Sequence, residues 1–217
     1  MIADLLADAG GTENWLERLG PGSIVLRGFA VAAAPALLAD IEQIIAQAPF
    51  RHMQTPGGWA MSVAMSNCGS LGWVTDRAGY RYQATDPDSA RPWPSLPARF
   101  LQLAADAASA AGFADFVPDA CLINRYAVGA RMALHQDKDE VDFTQPIVSV
   151  SLGLPAVFQF GGLQRGGPVS RVTLTHGDVV VWGGADRLRY HGVLALKDGV
   201  HPQLGAARLN LTFRKAG

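Results

Sequence analysis

The sequence has few charged residues and no excess of either sign. Charged residues make up 17% of the 217 residues, below the roughly one quarter typical of soluble proteins. Because 49% of the residues are hydrophobic, the shortage of charge excludes a disordered chain, and the length predicts a single domain, 1–217. The 18 basic and 19 acidic residues nearly cancel. A nucleic acid or membrane partner would therefore have to be held by local groups rather than by a general positive field.

Cysteines and targeting signals are also scarce. The chain has two cysteines, Cys68 and Cys121, and no Cys-x-x-Cys pair. This excludes a disulfide-rich secreted scaffold and predicts two buried, reduced thiols. The first residues carry no basic segment, and no apolar run is long enough to cross a bilayer. We therefore expect a cytoplasmic protein without a membrane anchor.

The N-terminal half combines helix and loop signals. Residues 22–29 alternate as a strand does, and residues 33–48 and 99–111 have helical periodicity. Between the helices, residues 49–97 are rich in glycine, aromatic residues and arginine, and they are too many for an ordinary connector. We predict that this segment carries recognition. The core-facing residues of the first helix are predicted to be Leu37, Leu38, Ile41, Ile44 and Ile45.

The C-terminal half contains short candidate strands rich in Val, Ile and Phe and bounded by Gly, Pro and Asp. No helix-length segment separates them, which excludes a doubly wound parallel sheet. The pattern predicts an α+β fold in which residues 115–214 form a jelly-roll, or double-stranded β-helix, supported by the N-terminal helices. The candidate strands are residues 120–126, 147–152, 156–160, 169–174, 178–182, 189–194 and 207–214.

The strongest local signal is His135-Gln136-Asp137, which follows a strand-like run. Residues i and i+2 of an extended segment share a face, so the imidazole and the carboxylate can converge on one metal ion. A second imidazole would complete the two-histidine, one-carboxylate set of non-haem Fe(II) oxygenases, which leaves positions open for substrate and oxygen. Taken alone, such a triplet is more often a hydrogen-bonded surface pair.

The second imidazole has several candidates. His191 lies in a strand-like segment, and the adjacent Gly192 allows close approach of another strand, so we prefer it. His176 precedes a turn, where capping is more typical, but spacing does not exclude it. His52 and His201 lie in loops.

The last candidate strand separates polar from apolar side chains. Alternation places Arg208, Asn210, Thr212 and Arg214 on one face. A buried guanidinium needs a negative partner, and the sequence shows no obvious local acid for these two arginines, so a bound dianion is the expected occupant. The alternative is a barrel rim where both arginines reach water.

Another candidate strand adds two polar groups. Asn124 and Tyr126 share one face and supply an amide and a phenol for hydrogen bonds. A tyrosine at a strand end is most often an amphipathic core residue, so alone these two residues mean little. Together with the metal triad and the two arginines, they describe a site for a small dicarboxylate beside iron.

These residues belong to motifs that are spread over most of the chain. The motifs are TPGG at 55–58, NCG at 67–69, LGW at 71–73, DACLINRY at 119–126, HQDKDE at 135–140, SVSLG at 149–153, GDVVVWGG at 177–184 and NLTFR at 210–214. The set resembles the bacterial AlkB family of Fe(II)/2-oxoglutarate-dependent nucleic-acid dealkylases. The resemblance covers nearly the whole chain and is far more specific than a single His-x-Asp.

The resemblance implies a role for each group of residues, with Fe(II), 2-oxoglutarate as cosubstrate and O2. Iron would be bound by His135, Asp137 and His191. The cosubstrate would be bound by Asn124, Tyr126, Arg208, Asn210 and Arg214. The alkylated base and its flanking phosphates would be contacted by Trp73, Tyr80, Tyr82, Asp139 and Arg165. Residues 49–97 would form a nucleotide-recognition lid. Without the resemblance, these aromatic residues would be interpreted as the packing of a small hairpin and residues 138–140 as a solvated turn.

The implied activity is oxidative demethylation of N-alkylated bases such as N1-methyladenine and N3-methylcytosine in DNA, and also in RNA, with release of formaldehyde, succinate and CO2. We expect a monomer that prefers single-stranded alkylated DNA. The near-zero net charge predicts modest, salt-sensitive binding. The local basic contacts would be Arg51, Arg77, Arg81 and Arg165.

Two alternatives remain open on the sequence. A 2-oxoglutarate-dependent hydroxylase of a protein or small molecule would keep the iron and cosubstrate residues, but Trp73, Tyr80 and Tyr82 argue against it because it needs no base-stacking aromatics. A non-catalytic jelly-roll module would hold a structural metal or none. Structural zinc sites usually have four protein ligands, and only three are evident here.

Overall fold

The computed structural model describes residues 15–217, which form two large antiparallel sheets, a hairpin and two helices. The major sheet has seven strands in the order β1-β2-β11-β8-β13-β6-β3, the minor sheet has four in the order β10-β9-β12-β7, and β4 and β5 pair as a hairpin. In chain order the elements are β1 (Leu16–Gly20), β2 (Ser23–Leu26), α1 (Ala34–Gln47), β3 (Ala64–Gly69), β4 (Gly72–Asp76), β5 (Gly79–Gln83), α2 (Ala98–Ala110), β6 (Ala120–Ala127), β7 (Met132–His135), β8 (Ile147–Gly153), β9 (Ala156–Phe160), β10 (Ser170–Leu174), β11 (Val179–Trp182), β12 (His191–Val193) and β13 (Ala207–Arg214).

The helices cover one face of the major sheet. Leu37 of α1 and Phe100 of α2 belong to the same buried cluster as the apolar face of β13. Phe100 meets Phe213 edge to face, with ring centroids 5.7 Å apart, a favoured aromatic geometry. The helix-facing residues of β13 are Leu209, Leu211 and Phe213, so the predicted apolar face of this strand is confirmed.

The opposite face of the major sheet packs against the minor sheet. A second buried cluster joins Val180 and Trp182 of β11 to Phe158 of β9 and Val193 of β12. Because side chains alternate along a strand, the polar face of β13 points into this space between the sheets. A pocket opens there, and we call it the inter-sheet pocket. Its lining includes Asn124, Tyr126, His135, His191, Arg208, Asn210 and Arg214.

The predicted fold class is confirmed, but several boundaries differ from the prediction. The strand predicted over 22–29 ends at Leu26, because Gly28 adopts a positive φ of 65° in the turn that follows. Strand β1 was not predicted from the sequence. Strand β3 lies inside the predicted lid, 49–97, yet it pairs with β6 in the major sheet. The sheet framework is therefore wider than 115–214, and within 49–97 the part that stands apart from the two large sheets is the β4–β5 hairpin.

The sequence expectations for helices and cysteines agree with the structure. Both helices lie within one residue of their predicted bounds. Leu37, Ile41 and Ile44 are buried, while Leu38 and Ile45 are partly buried against the same core. Cys68 and Cys121 are buried, free thiols that face each other across β3 and β6, as predicted. Within residues 15–217 no helix is long and apolar enough to cross a membrane.

Phe213→Ala should destabilise the fold strongly, because it removes the ring that joins β13 to α2 and leaves a cavity. Truncations of buried aromatic residues cost about 3–5 kcal/mol. Urea denaturation measures this loss. The control is Val200→Ala, at a side chain that is 84% exposed, which we expect to change the unfolding free energy by less than about 0.5 kcal/mol. Equal effects of the two substitutions would contradict the proposed packing.

Candidate metal centre and active site

The two strand-borne imidazoles are brought together by strand pairing. His191 of β12 is the direct partner of His135 of β7 in an antiparallel ladder. Their ring centroids are 4.4 Å apart. Gly192 makes this approach possible, since a Cβ there would lie 2.7 Å from the carbonyl oxygen of Met132. The sequence argument for a glycine beside His191 is therefore confirmed.

The hydrogen bonds of the two rings fix the nitrogen atoms that face the site. His135 Nδ1 lies 2.9 Å from the carbonyl oxygen of Ala133, and His191 Nδ1 lies 3.1 Å from that of Arg189. A carbonyl oxygen can only accept a hydrogen bond, so each Nδ1 carries the proton. Each Nε2 then has a free lone pair, which is the form that a metal ion requires.

Asp137 completes the cluster. Its Oδ1 lies 3.5 Å from His135 Nε2, and its Oδ2 lies 3.7 Å from His191 Nε2. One ligand atom from each of the three residues lies within 4.8 Å of the other two. Within residues 15–217, the one cluster of three or more His, Cys, Asp or Glu side chains close enough to share a metal ion consists of these three residues.

The remaining histidines have other contacts. The backbone N–H of Gly153 donates to His176 Nδ1 at 3.0 Å, and the His176 ring stacks on His201 with centroids 4.5 Å apart. His52 Nδ1 pairs with the carbonyl oxygen of Met61. The choice between His191 and His176, which spacing alone left open, is thus decided by the tertiary fold.

The site keeps its ligands in different protonation states. Burial lowers the pKa of His191 to about 4, with a further contribution from His135, so this ring is neutral at pH 7. Burial also acts to lower the pKa of His135, but the hydrogen bond and charge of Asp137 outweigh it and raise that pKa above 6.5. Burial opposes ionisation of Asp137, yet the Arg214 charge dominates and holds the carboxyl pKa well below its usual range.

Arg214 differs from its prediction. The sequence suggested no local acid for it, but its Nε and Nη2 both donate to Asp137 Oδ2, at 2.9 and 2.6 Å. Nε also lies 3.3 Å from Glu140. Sequence reasoning missed this pair because Asp137 is 77 positions away in the chain. The predicted contact between Arg214 and 2-oxoglutarate stays a prediction. Such a contact would have to form while Arg214 is paired with Asp137.

Arg208 fits its prediction. It is 1% exposed, its Nη2 donates to Ser151 Oγ at 2.9 Å, and its Nε and Nη1 have no hydrogen-bond partner among residues 15–217. The guanidinium lies over the ring of Tyr126, 5.0 Å from the centroid. A buried guanidinium with two free donors is costly unless an anion occupies the pocket.

Amides line the floor of the inter-sheet pocket. Asn124 Nδ2 donates to Asn210 Oδ1 at 3.1 Å, and Asn210 Nδ2 donates to Ser149 Oγ at 2.8 Å. Asn124 Oδ1 and the indole N–H of Trp182 are buried without partners in the described residues. The unpartnered donors of Arg208 and Trp182 lie beside a two-histidine, one-carboxylate cluster. They suit a carboxylate cosubstrate that reaches a metal ion, so the residues fit iron and 2-oxoglutarate.

Comparison with known proteins agrees with this chemistry. Residues 22–214 match the family model of the 2OG-Fe(II) oxygenase superfamily. The chain is 60% identical to the alpha-ketoglutarate-dependent dioxygenase AlkB of Salmonella typhimurium, over 99% of this chain and 98% of that protein. It is 59% identical to the protein of the same name from Escherichia coli, over 100% and 99% of the two chains. The solved structure of OsALKBH1 superposes with a TM-score of 0.81 at 31% identity, covering 92% of this chain and 99% of that one.

The chain belongs to the AlkB family of 2-oxoglutarate- and Fe(II)-dependent dioxygenases. It therefore uses Fe(II), 2-oxoglutarate and O2. The jelly-roll prediction and the predicted family are both confirmed. In this AlkB-family chain, His135, Asp137 and His191 are the residues that would hold the iron.

The β4–β5 hairpin lies beside the cluster. The indole N–H of Trp73 donates to Asp139 Oδ2 at 2.8 Å, two residues beyond Asp137. Tyr80, which is 50% exposed, stacks on Trp73 with centroids 5.7 Å apart and ring planes 17° apart. Three of the residues predicted for substrate binding, Trp73, Tyr80 and Asp139, therefore form one partly exposed surface.

Tyr82 is held by an internal hydrogen bond, and its predicted substrate contact stays a prediction. Its hydroxyl donates to Glu140 Oε1 at 2.7 Å, and burial raises its pKa well above 10. Glu140 in turn accepts from the buried Arg187 at 3.0 Å. Sequence reasoning missed Glu140 and Arg187. The acidic run that contains Glu140 is typical of a solvated turn, and no local pattern indicates that it is buried.

Two of the four predicted basic contacts have acidic partners. Arg51 pairs with Asp86 and Asp88, and Arg81 pairs with Asp76. The sequence did not reveal these partners, and the predicted contacts of Arg51 and Arg81 with nucleic acid stay predictions. Arg165 lies over the ring of Tyr190, 5.1 Å from the centroid, and Tyr190 directly precedes His191.

Gly192→Ala should weaken metal binding, because the new Cβ would force β12 away from β7 at the rung that pairs His191 with His135. We expect affinity for Fe(II), measured by anaerobic calorimetry, to fall by about tenfold or more, as when supporting groups of a metal site are altered. Gly162→Ala is the matched control, since its Cβ would meet nothing nearer than 3.9 Å. Equal affinities in the two variants would contradict this role for Gly192.

Metal affinity should also depend on pH. Binding must displace the proton from His135, whose pKa is raised, whereas His191, with a pKa of about 4, is already deprotonated. Between about pH 5 and pH 6.5 the affinity should therefore fall about tenfold per unit of decreasing pH, corresponding to one proton. Calorimetric titration at several pH values measures this slope. A slope of two protons would show that His191 is charged as well.

Proposed function

We propose that this chain directly reverses alkylation damage by oxidative demethylation of N-alkylated bases such as N1-methyladenine and N3-methylcytosine, in DNA and also in RNA. One observation carries the proposal: an aromatic hairpin is hydrogen-bonded to Asp139, two residues from the carboxylate of a two-histidine, one-carboxylate cluster. The proposed base site and the proposed metal site therefore meet at the turn that carries Asp137 and Asp139. The relatives named AlkB are dioxygenases of the same family.

The protein side of the site supplies position and charge. His135 and His191 present two Nε2 lone pairs, and Asp137 stays ionised beside Arg214. Arg208, with free Nε and Nη1, would take one carboxylate of 2-oxoglutarate. When bound, Fe(II) and 2-oxoglutarate supply, with O2, the oxidation of an N-methyl group. Its carbon leaves as formaldehyde while 2-oxoglutarate becomes succinate and CO2.

The hairpin suits a base that has left its stack. Trp73 and Tyr80 offer a stacked, partly exposed aromatic surface, and each base stacked on an aromatic side chain is worth about 1–3 kcal/mol. N1-methyladenine and N3-methylcytosine are cationic, so the Asp139 carboxylate favours them over neutral bases.

We further propose the conditions in which the protein acts. It acts on single strands in preference to duplexes, because extruding a base costs least where it is already unpaired. We also propose that it acts as a monomer. Cys68 and Cys121 are free thiols, which fits a reducing, cytoplasmic location.

The test is demethylation of a single-stranded oligonucleotide that carries one N1-methyladenine, with Fe(II), 2-oxoglutarate, ascorbate and O2, followed by mass spectrometry. We expect the wild type to remove the methyl group and His135→Ala to abolish the reaction, because that variant loses one of three ligands. His201→Ala is the control for loss of an imidazole outside the cluster. Full activity of His135→Ala would contradict the ligand assignment.

The same assay separates the base site from the metal site. Trp73→Ala should weaken oligonucleotide binding by about tenfold, in line with the loss of one stacked base, while Fe(II) affinity stays unchanged. Trp15→Ala, at an exposed indole beside β1, is the matched control. Turnover of 2-oxoglutarate without demethylation of any oligonucleotide would instead favour a protein or small-molecule hydroxylase.

A further inference from the structure

A buried ion-pair network connects the hairpin to the metal cluster, and neither the proposed reaction nor metal ligation accounts for it. We propose that Glu140 is a positioning residue that couples the β4–β5 hairpin to Asp137, so that filling the metal site and capturing the nucleic acid strand reinforce each other. The inference rests on the proposed function and adds to it a mutual dependence of two binding events.

The first part of the connection is a pair of hydrogen bonds from the hairpin to the turn that follows Asp137. Trp73 and Tyr82 are direct partners across the hairpin. Trp73 donates to Asp139 at 2.8 Å, and the Tyr82 hydroxyl donates to the next residue, Glu140, at 2.7 Å. One rung of the hairpin therefore holds two consecutive carboxylates.

The second part runs from Glu140 to the iron ligand. Glu140 Oε2 accepts from Arg187 at 3.0 Å, and Glu140 Oε1 lies 3.3 Å from Arg214 Nε. Arg214 donates to the Asp137 carboxylate at 2.6 Å, and Arg187 donates to the Asp137 backbone carbonyl at 2.8 Å. Two separate arginines thus tie Glu140 to Asp137, one through its side chain and one through its backbone.

Burial makes this arrangement hard to rearrange. The exposed fractions are 6% for Glu140, 3% for Arg187, 6% for Arg214 and 8% for Asp137. Two carboxylates and two guanidiniums balance each other in a poorly solvated space, where removing one partner leaves a buried charge uncompensated. The groups can therefore shift together but not independently.

The coupling follows from these contacts. A metal ion on Asp137 fixes that carboxylate, and through the two arginines it fixes Glu140 and the surface on which Tyr82 rests. The hairpin then binds a nucleic acid strand on a turn that is already fixed in place. The binding therefore loses less free energy to the ordering of that turn. Because coupling between binding sites is reciprocal, a bound strand must tighten metal binding by the same factor.

The experiment measures that factor. Affinity for a single-stranded oligonucleotide that carries N1-methyladenine is determined by fluorescence anisotropy under nitrogen, where no turnover occurs, with and without Fe(II) and 2-oxoglutarate. We expect the loaded wild type to bind about fivefold more tightly or better, at the lower end of typical coupling. The coupling ratio is the oligonucleotide affinity of the loaded protein divided by that of the unloaded protein. Tyr82→Phe, which removes the hydroxyl that reaches Glu140, should bring this ratio close to one. Its Fe(II) affinity without oligonucleotide should be unchanged.

Two further variants separate coupling from simple stability. Glu140→Gln keeps the shape but removes the charge, so it should lower both the ratio and Fe(II) affinity, since Arg214 then pairs with Asp137 alone. If Glu140→Gln does not fold, Tyr82→Phe decides the question by itself. Asp178→Asn is the control, because this buried carboxylate pairs with Arg27 away from the network. It should lower the melting temperature and keep the wild-type ratio.

The outcomes are distinct. A ratio of one in the wild type, or a wild-type ratio in Tyr82→Phe, overturns the inference. A lost direct contact between Tyr82 and the strand would lower affinity equally in both states and leave the ratio unchanged, so it also counts against coupling. Wild-type protein that demethylates the oligonucleotide but shows no coupling overturns this inference alone. Protein that neither binds nor demethylates any methylated oligonucleotide overturns the proposed function as well.

Discussion

The site depends on one constraint, the register of β12 against β7. His191 and His135 lie directly opposite each other in this antiparallel pair, and a slip of one residue would turn one imidazole to the opposite face of the sheet. Gly192 permits the close approach, and the backbone carbonyls of Ala133 and Arg189 set the proton on each ring. The positions of the two imidazoles are thus set by the minor sheet and its backbone. Asp137 adds the third group of the candidate metal site.

Around this pair the protein uses two arginines from the same strand face in different ways. Arg214 is paired with Asp137 and Glu140, so it keeps the carboxylate of the candidate metal site ionised and in place. Among residues 15–217, Arg208 has two guanidinium donors without a hydrogen-bond partner. These two donors suit an anionic ligand. A nearly neutral chain can therefore bind anions by placing one uncompensated charge where water is excluded.

In the proposed function, the hairpin binds the nucleic acid beside this metal cluster. It stands apart from the two large sheets, and it contacts the turn after Asp137 through Trp73 and Tyr82. Its two tyrosines have different tasks, since Tyr80 is half exposed on the stacked surface and Tyr82 is engaged with Glu140. Because the two tyrosines are two residues apart, they lie on the same face of β5. One is half exposed and the other is held by Glu140.

The helices, most of the jelly-roll strands, the alternation of β13 and the His-x-Asp element were predictable from the sequence, because each is a local period or a short spacing. The sequence motifs also indicated the family. Three features became visible in the fold alone: His191 rather than His176 lies beside His135, β3 belongs to the major sheet although it lies within the predicted lid, and Arg214 and Glu140 are ion-paired. These contacts join residues far apart in the chain, and no local pattern records which distant side chain will neutralise a buried charge. The same limit explains why the sequence did not reveal the aspartates that pair with Arg51 and Arg81.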